Sequence, residues 1–217
     1  MAGVQRLAAL LLTIACVLAP QSARAADGPV KIVVLGDSLS AGYGLPGQDA
    51  FPAKLGVALK AKGIAAEIIN AGVSGDTASG GLGRLDWSVP DGTDAVVVEL
   101  GANDALRGIS PELTKTALDT ILAKLKARHI AVLLAGMQAP RNMGADYVRD
   151  FDAIFPALAQ AYGVVYYPFF LDGVATDAKV NQKDGMHPNA AGVDIIVARI
   201  LPKVEELIAR AKAARGS

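Results

Sequence analysis

Short unbroken apolar runs alternate with stretches of helical periodicity along most of this chain. Lys31-Ile32-Val33-Val34-Leu35-Gly36 is such a run, closed by a glycine, and predicts a buried strand. From Phe51 to Lys62, apolar residues at Phe51, Leu55, Ala58 and Leu59 mark one helical face, and Gly63 stands where a C-cap belongs. Glu67-Ile68-Ile69-Asn70 predicts a second strand. Asp76 to Leu85 predicts a weak helix, diluted by Gly80, Gly81 and Gly83. Asp94 to Leu100 is a third strand around Val96-Val97-Val98. Pro111 opens a helix at its first position, with Ser110 as N-cap, that runs to about Arg128. Ile130 to Ala135 is a fourth strand, Tyr147 to Tyr162 a helix interrupted or restarted near Pro156, and Val164 to Tyr167 a fifth strand. Asn189 is placed to cap a long last helix through Arg210, with Pro202 as a kink point and Ala211 to Ser217 as a frayed end.

Strands that read as apolar runs rather than alternations are covered on both faces. Separated by helices, they predict an α/β fold: one five-stranded parallel sheet with helices on both sides. The carboxyl ends of such strands share one edge, and ligands bind there. The segments at that edge are Gly36 to Ser40, Ala71 to Asp76, Gly101 to Asp104, Gly136 to Pro140, and the long stretch from Pro168 to Pro188.

The chain has 217 residues, 52% of them apolar and 19% charged, which bounds one sizeable core rather than two domains. Basic and acidic residues balance at 21 each with no basic run, so no nucleic-acid surface is expected. Residues 1–25 read as a signal peptide. Arg6 gives a positive start, Leu7 to Ala19 an apolar stretch of 13 residues, and Ala23-Arg24-Ala25 a small-x-small cleavage site. The expected organisation is that leader followed by a single domain over 26–217, exported and then periplasmic or secreted. The only cysteine, Cys16, falls in the leader with Val17-Leu18-Ala19 still to come, which disfavours a lipidation site and leaves the mature chain without disulfides. No later apolar run approaches the roughly 18 residues of a membrane span.

The strand-end segments hold the parts needed for acyl transfer. Ser38 follows the first strand after one intervening residue past Gly36, on a tight turn that can present its hydroxyl. Asp184-Gly185-Met186-His187 places a carboxylate and an imidazole three residues apart, able to face one cleft with Asp184 holding the ring and the other ring nitrogen free for a serine. Asn103 offers an amide, and Gly72 a backbone N–H; with the Ser38 N–H these make a three-donor oxyanion hole. The chain has two histidines, and His129 precedes the fourth strand at the wrong edge, so a general base is His187.

Taken singly, each part has a plainer reading. Gly-Asp-Ser is a common turn, Asn103-Asp104 an Asx-turn, Asp184 to His187 capping chemistry, and Gly72 a residue that permits positive φ. The functional reading rests on their coincidence at four strand ends. A formal G-x-G-x-x-G at Gly42 to Gly47 starts too far beyond the strand end for a dinucleotide site and contains Pro46. The nucleophile elbow G-x-S-x-G is absent, and two distant histidines with no mature cysteine support no metal site.

Together, Gly36-Asp37-Ser38-Leu39-Ser40, the Gly72 block, Gly101-Ala102-Asn103-Asp104 and Asp184-Gly185-Met186-His187-Pro188 resemble, in order and spacing, the four blocks of the SGNH (GDSL-type) hydrolases. The resemblance spans essentially the whole mature chain. It is nearest to the bacterial thioesterase I/lysophospholipase/arylesterase group, through Gly36 to Gly44 and Asn70 to Thr77. It implies a three-layer flavodoxin-like fold, Ser38 as nucleophile, Gly72 and Asn103 as oxyanion donors, His187 as base with Asp184 orienting it, and no metal or organic cofactor.

The expected reaction is hydrolysis of an aryl ester, an acyl thioester or a lysophospholipid through an acyl-enzyme. A carbohydrate O-acetyl esterase on the same fold is the alternative, and a non-catalytic flavodoxin-like binding module the reading from another class. A candidate acyl groove comprises Met137, Pro140, Met143, Tyr147 and Phe169, which would favour acyl or aryl groups over sugars, although ordinary core or loop packing would use the same residues. The expected partner is the small-molecule substrate alone, with the chain a monomer.

Overall fold

The computed structural model describes residues 28–215, and the leader read over 1–25 lies outside the described residues. Five strands, β1 (Val30–Gly36), β2 (Ala66–Gly72), β3 (Ala95–Glu99), β4 (Ala131–Ala135) and β5 (Val165–Tyr167), form one sheet in the order β2-β1-β3-β4-β5. Every pairing is parallel. This is the flavodoxin-like order, and strand succession reverses direction between β1 and β3. The register places Gly36, the last residue of β1, beside Gly72 on one side and Glu99 on the other.

Helices α2 (Phe51–Ala61) and α9 (Ala190–Arg215) cover one face of the sheet; α6 (Pro111–Ala127) and α8 (Ile154–Tyr162) cover the other. The central strands β1 and β3 are almost wholly buried, as strands between two helical layers must be. The Phe51 and Phe170 rings pack edge to face at 5.1 Å on the first side, and Phe151 and Phe155 at 5.7 Å on the second. Among the described residues, no helix is long and apolar enough to cross a membrane.

The structure departs from the sequence reading in four places. The weak helix expected over Asp76 to Leu85 is two short ones, α3 (Ala78–Gly83) and α4 (Leu85–Ser88). Thr77 caps the first by accepting the Gly80 N–H, while Asp76 instead pairs with Arg84. The Tyr147–Tyr162 helix starts earlier and breaks at Ala153, giving α7 (Ala145–Asp152) and α8. Ser110 occupies the N-cap position of α6, but its side chain makes no capping bond. The last helix does not fray at Ala211. It runs to Arg215, whose guanidinium donates to Gly28 O at 2.9 Å, Pro29 O at 2.8 Å and the Asp94 carboxylate. Asn189 does cap it, accepting the Gly192 N–H at 3.1 Å. Pro202 lies inside the helix without ending it.

Arg84 fixes the edge where the strands end. One guanidinium reaches Gly36 O at 2.8 Å and Ala71 O at 2.7 Å, tying the last turns of β1 and β2 together from below.

Candidate active site

Ser38 opens α1 (Ser38–Ala41), a single helical turn directly after β1. Asp37 is its N-cap, its Oδ1 accepting the Leu39 N–H at 2.9 Å, and Gly42 ends it in the left-handed region at φ 83°. A turn this short would be marginal alone; here the parallel neighbours of Gly36 hold its start. The Ser38 hydroxyl is therefore presented at the carboxyl edge.

The loop from Asn181 to Pro188 brings the other two groups. His187 Nε2 lies 3.0 Å from Ser38 Oγ, and His187 Nδ1 lies 2.7 Å from Asp184 Oδ2. Asp184 Oδ1 also accepts the backbone N–H of His187 at 3.0 Å and of Met186 at 2.9 Å. These N–H groups, with the ring, hold its carboxyl down to about 2. The plainer reading of this stretch, local capping, is thus true of one oxygen while the other oxygen orients the imidazole. Gln182 anchors the loop, its Nε2 donating to Tyr43 O at 2.7 Å and to Pro188 O at 3.0 Å. Within the Gly42 to Gly47 stretch, Gly44 serves this docking, since a side chain there would strike Gln182.

Asn103 stands in α5 (Ala102–Leu106), after β3. Its Nδ2 donates to Asp37 Oδ2 at 3.0 Å, which orients the amide and leaves its second N–H uncommitted. Asp37 is fully buried; that burial, opposed by the Leu39 N–H and the Asn103 amide, pushes its carboxyl up to about 6.

Gly72 does not fit the role read from the sequence. Its N–H donates to Asn70 Oδ1 at 2.9 Å and so is committed within its own loop. Its φ is not in the left-handed region either. The glycine is required by close approach: a Cβ there would lie 2.3 Å from Ala41 N and 2.9 Å from Asp37 O. Gly75, three residues on at φ 87°, carries an N–H with no acceptor among the described residues.

A cavity of about 440 Å³ opens beside the three groups. Ser38, Asn103 and His187 line it, as do Met137, Pro140 and Phe169 from the expected groove. Met143 and Tyr147 do not. Met143 lies near Gly108, and the Tyr147 hydroxyl donates to Ile109 O at 2.8 Å while its ring stacks on Phe151. Leu106, Leu171 and Met186 complete the wall instead. His129 lies at the amino end of β4, on the opposite edge. Sequence reasoning missed Asp37 and Glu99 as parts of the site. A carboxylate closing the apolar run Val96-Val97-Val98-Glu99 was the available signal for the second.

A family profile described as "GDSL-like Lipase/Acylhydrolase family" matches residues 34–195. The chain is 37% identical to a thioesterase 1/protease 1/lysophospholipase L1 of Escherichia coli (strain K12) over 86% of this chain and 87% of that one. It is 39% identical to an arylesterase of Vibrio mimicus over 76% of this chain and 82% of that one. The crystal structure of TesA superposes with a TM-score of 0.78 at 35% identity, over 82% of this chain and 99% of that one.

Proposed function

The chain belongs to the GDSL-like lipase/acylhydrolase family, and from that premise we propose that Ser38, His187 and Asp184 are the triad by which this carboxylic ester hydrolase works. The observation that carries the proposal is the continuous line of contacts from Asp184 Oδ2 through both ring nitrogens of His187 to Ser38 Oγ. His187 Nε2 takes the hydroxyl proton as Oγ attacks the carbonyl carbon, and Asp184 stabilises the imidazolium. The carbonyl oxygen becomes an oxyanion facing the Ser38 N–H and the free N–H of Asn103, with the Gly75 N–H as third donor in place of Gly72. Collapse expels the alcohol or thiol, which takes the proton from His187. Water, deprotonated by His187, then attacks the acyl-serine, and His187 returns the proton to Ser38 Oγ as the acyl–oxygen bond breaks and the acid leaves.

The substrate reading is an aryl ester, an acyl thioester or a lysophospholipid. It is supported by the apolar side chains of Met137, Phe169, Leu106 and Leu171 along the cavity. Gln138, Arg141 and Thr176 also line the cavity, which makes the acetylated sugar the comparison substrate to test. The location reading remains export after removal of residues 1–25, with 26–217 as one domain and the enzyme a monomer.

Labelling with a fluorophosphonate tests the triad. One adduct on Ser38, abolished in Ser38→Ala and slowed in His187→Ala, is the expected result; an unlabelled chain would mark a binding module. A series of p-nitrophenyl esters of rising chain length, set against an acetylated sugar, tests the substrate class.

A further inference from the structure

Beneath the nucleophile turn lies a carboxyl that the reaction described above does not use. Glu99 ends β3 in register with Gly36 and is wholly buried. Its Oε2 accepts the Ser40 hydroxyl at 2.6 Å and the Asp37 N–H at 3.3 Å. Its Oε1 has no hydrogen-bond partner among the described residues. Gly36 clears the space for it, since a Cβ at Gly36 would come within 2.5 Å of Glu99 Oε2 and 2.4 Å of Ser40 Oγ. From Glu99 the contacts run outward through Asp37 to Asn103, the amide that faces the cavity.

Packing alone does not call for an acid at this position. Its chain neighbours Val96, Val97, Val98 and Leu100 are all buried apolar residues, and a side chain of that kind would spare the desolvation of a carboxyl while leaving the Ser40 hydroxyl and the Asp37 N–H without their acceptor. Local rules broken in this way belong to functional sites more often than to packing.

We propose that Glu99 is a positioning residue for ester cleavage: by holding the Asp37–Ser40 turn it keeps the Asn103 amide aimed at the reacting carbonyl. This rests on the role given above to Asn103. Burial and the neighbouring Asp37 carboxylate both push its carboxyl well above the usual range, as expected for an acid enclosed beside a second acid with one oxygen unpaired.

The test compares kcat, KM and thermal unfolding of the full-length enzyme with those of Ser38→Ala, Asn103→Ala, Glu99→Gln, Glu99→Val and the double variant Glu99→Val/Asn103→Ala, on one p-nitrophenyl ester. Glu99→Val is expected to lower kcat roughly 10- to 100-fold with KM within about twofold, because a misplaced donor weakens the transition state more than the ground state. Its melting temperature should fall by no more than a few degrees, because losing the Ser40 and Asp37 contacts is offset by no longer desolvating a carboxyl. Glu99→Gln, which keeps a neutral acceptor for Ser40, should retain kcat within about threefold. The double variant should be no slower than Asn103→Ala alone, since both changes disable the same group. Unchanged kcat in Glu99→Val, losses that multiply in the double variant, or a Glu99→Gln as slow as Glu99→Val would each overturn the proposal. If Glu99→Val does not fold, Ser40→Ala removes the 2.6 Å contact from the other side and carries the same expectations. Full activity in Ser38→Ala or Asn103→Ala would instead overturn the site assignment, a result those variants report independently of Glu99.

Discussion

The phenol ring of Tyr43 lies against the imidazole of His187, with centroids 4.6 Å apart and planes inclined by 37°. Tyr43 follows the nucleophile helix, and its carbonyl receives Gln182 from the loop that carries His187. Backbone and ring therefore both join the two halves of the triad. The electron-rich face also favours the imidazolium that forms when Ser38 gives up its proton. Such ring pairs contribute about 0.5–1.5 kcal/mol, so Tyr43→Ala should lower kcat/KM by roughly two- to tenfold. Tyr43→Phe should stay near the parent, because the contact belongs to the ring. A loss in Tyr43→Phe equal to that in Tyr43→Ala would assign the effect to the hydroxyl.

Asp184 remains an anion through any ordinary assay range, because the N–H groups of His187 and Met186 hold its carboxyl near 2. Asp184 itself should therefore contribute no titration to the rate profile over that range. Asp184→Asn should lower kcat across the whole profile, by up to about 10⁴-fold if the ring loses its orientation as in other triads. Recovery of the rate at alkaline pH would show that the carboxylate acts only by charge. The same depressed value makes a stability statement: the contribution of Asp184 is present above about pH 4 and is lost as pH falls through about 2.

Asp37 has the opposite sign. Burial raises its carboxyl to about 6 in the folded chain from an ordinary 3.8. Between those values the folded state keeps a proton that the unfolded chain has lost, so stability falls as pH rises through the window. The contribution is up to about 3 kcal/mol. Urea unfolding at a series of pH values between about 4 and 7 should show a downward slope that becomes shallower in Asp37→Asn, leaving the part carried by Glu99. Parallel slopes for the two proteins would mean that Asp37 does not carry this desolvation.

The proposed triad was legible because each member is fixed by something local. Ser38 sits on the first turn after an unmistakable apolar run, and Asp184 and His187 are three residues apart, so one loop presents both. The sheet was legible for the same reason: β1 and β3 are buried on both faces and read as unbroken apolar runs. Long-range geometry decides what was not legible. Gly72 ends β2 and Gly75 follows it, and only the position of Ala41 against the first shows which one is there for space. Met143 and Tyr147 lie close in sequence to Pro140, but the start of α7 turns them toward Gly108 and Ile109. Helices as short as α1 and α5 offer no periodicity to detect. The ordered end of α9 depends on Arg215 reaching Asp94, 121 positions earlier.

The reading of Gly72 leads to a prediction separating space from backbone freedom. A methyl group at Gly72 would meet Ala41 N at 2.3 Å, Ala41 Cα at 2.7 Å and Asp37 O at 2.9 Å. All three are backbone atoms of the nucleophile turn, so no flexible side chain can yield. The turn or the end of β2 must move, and Ser38 moves with it. Gly72→Ala should cost about 1–3 kcal/mol of stability, as overpacking does, and lower kcat by more than about tenfold through displacement of the reacting hydroxyl. Gly83→Ala is the matched control: it lies in α3 with nothing within 4 Å of the added carbon. Alanine there should leave kcat unchanged and add up to about 1 kcal/mol, through better helix propensity. Urea unfolding and steady-state kinetics on the pair check both quantities. A Gly72→Ala enzyme with parental kcat would show that the turn has slack, and that the contact between β2 and α1 does not set the position of Ser38.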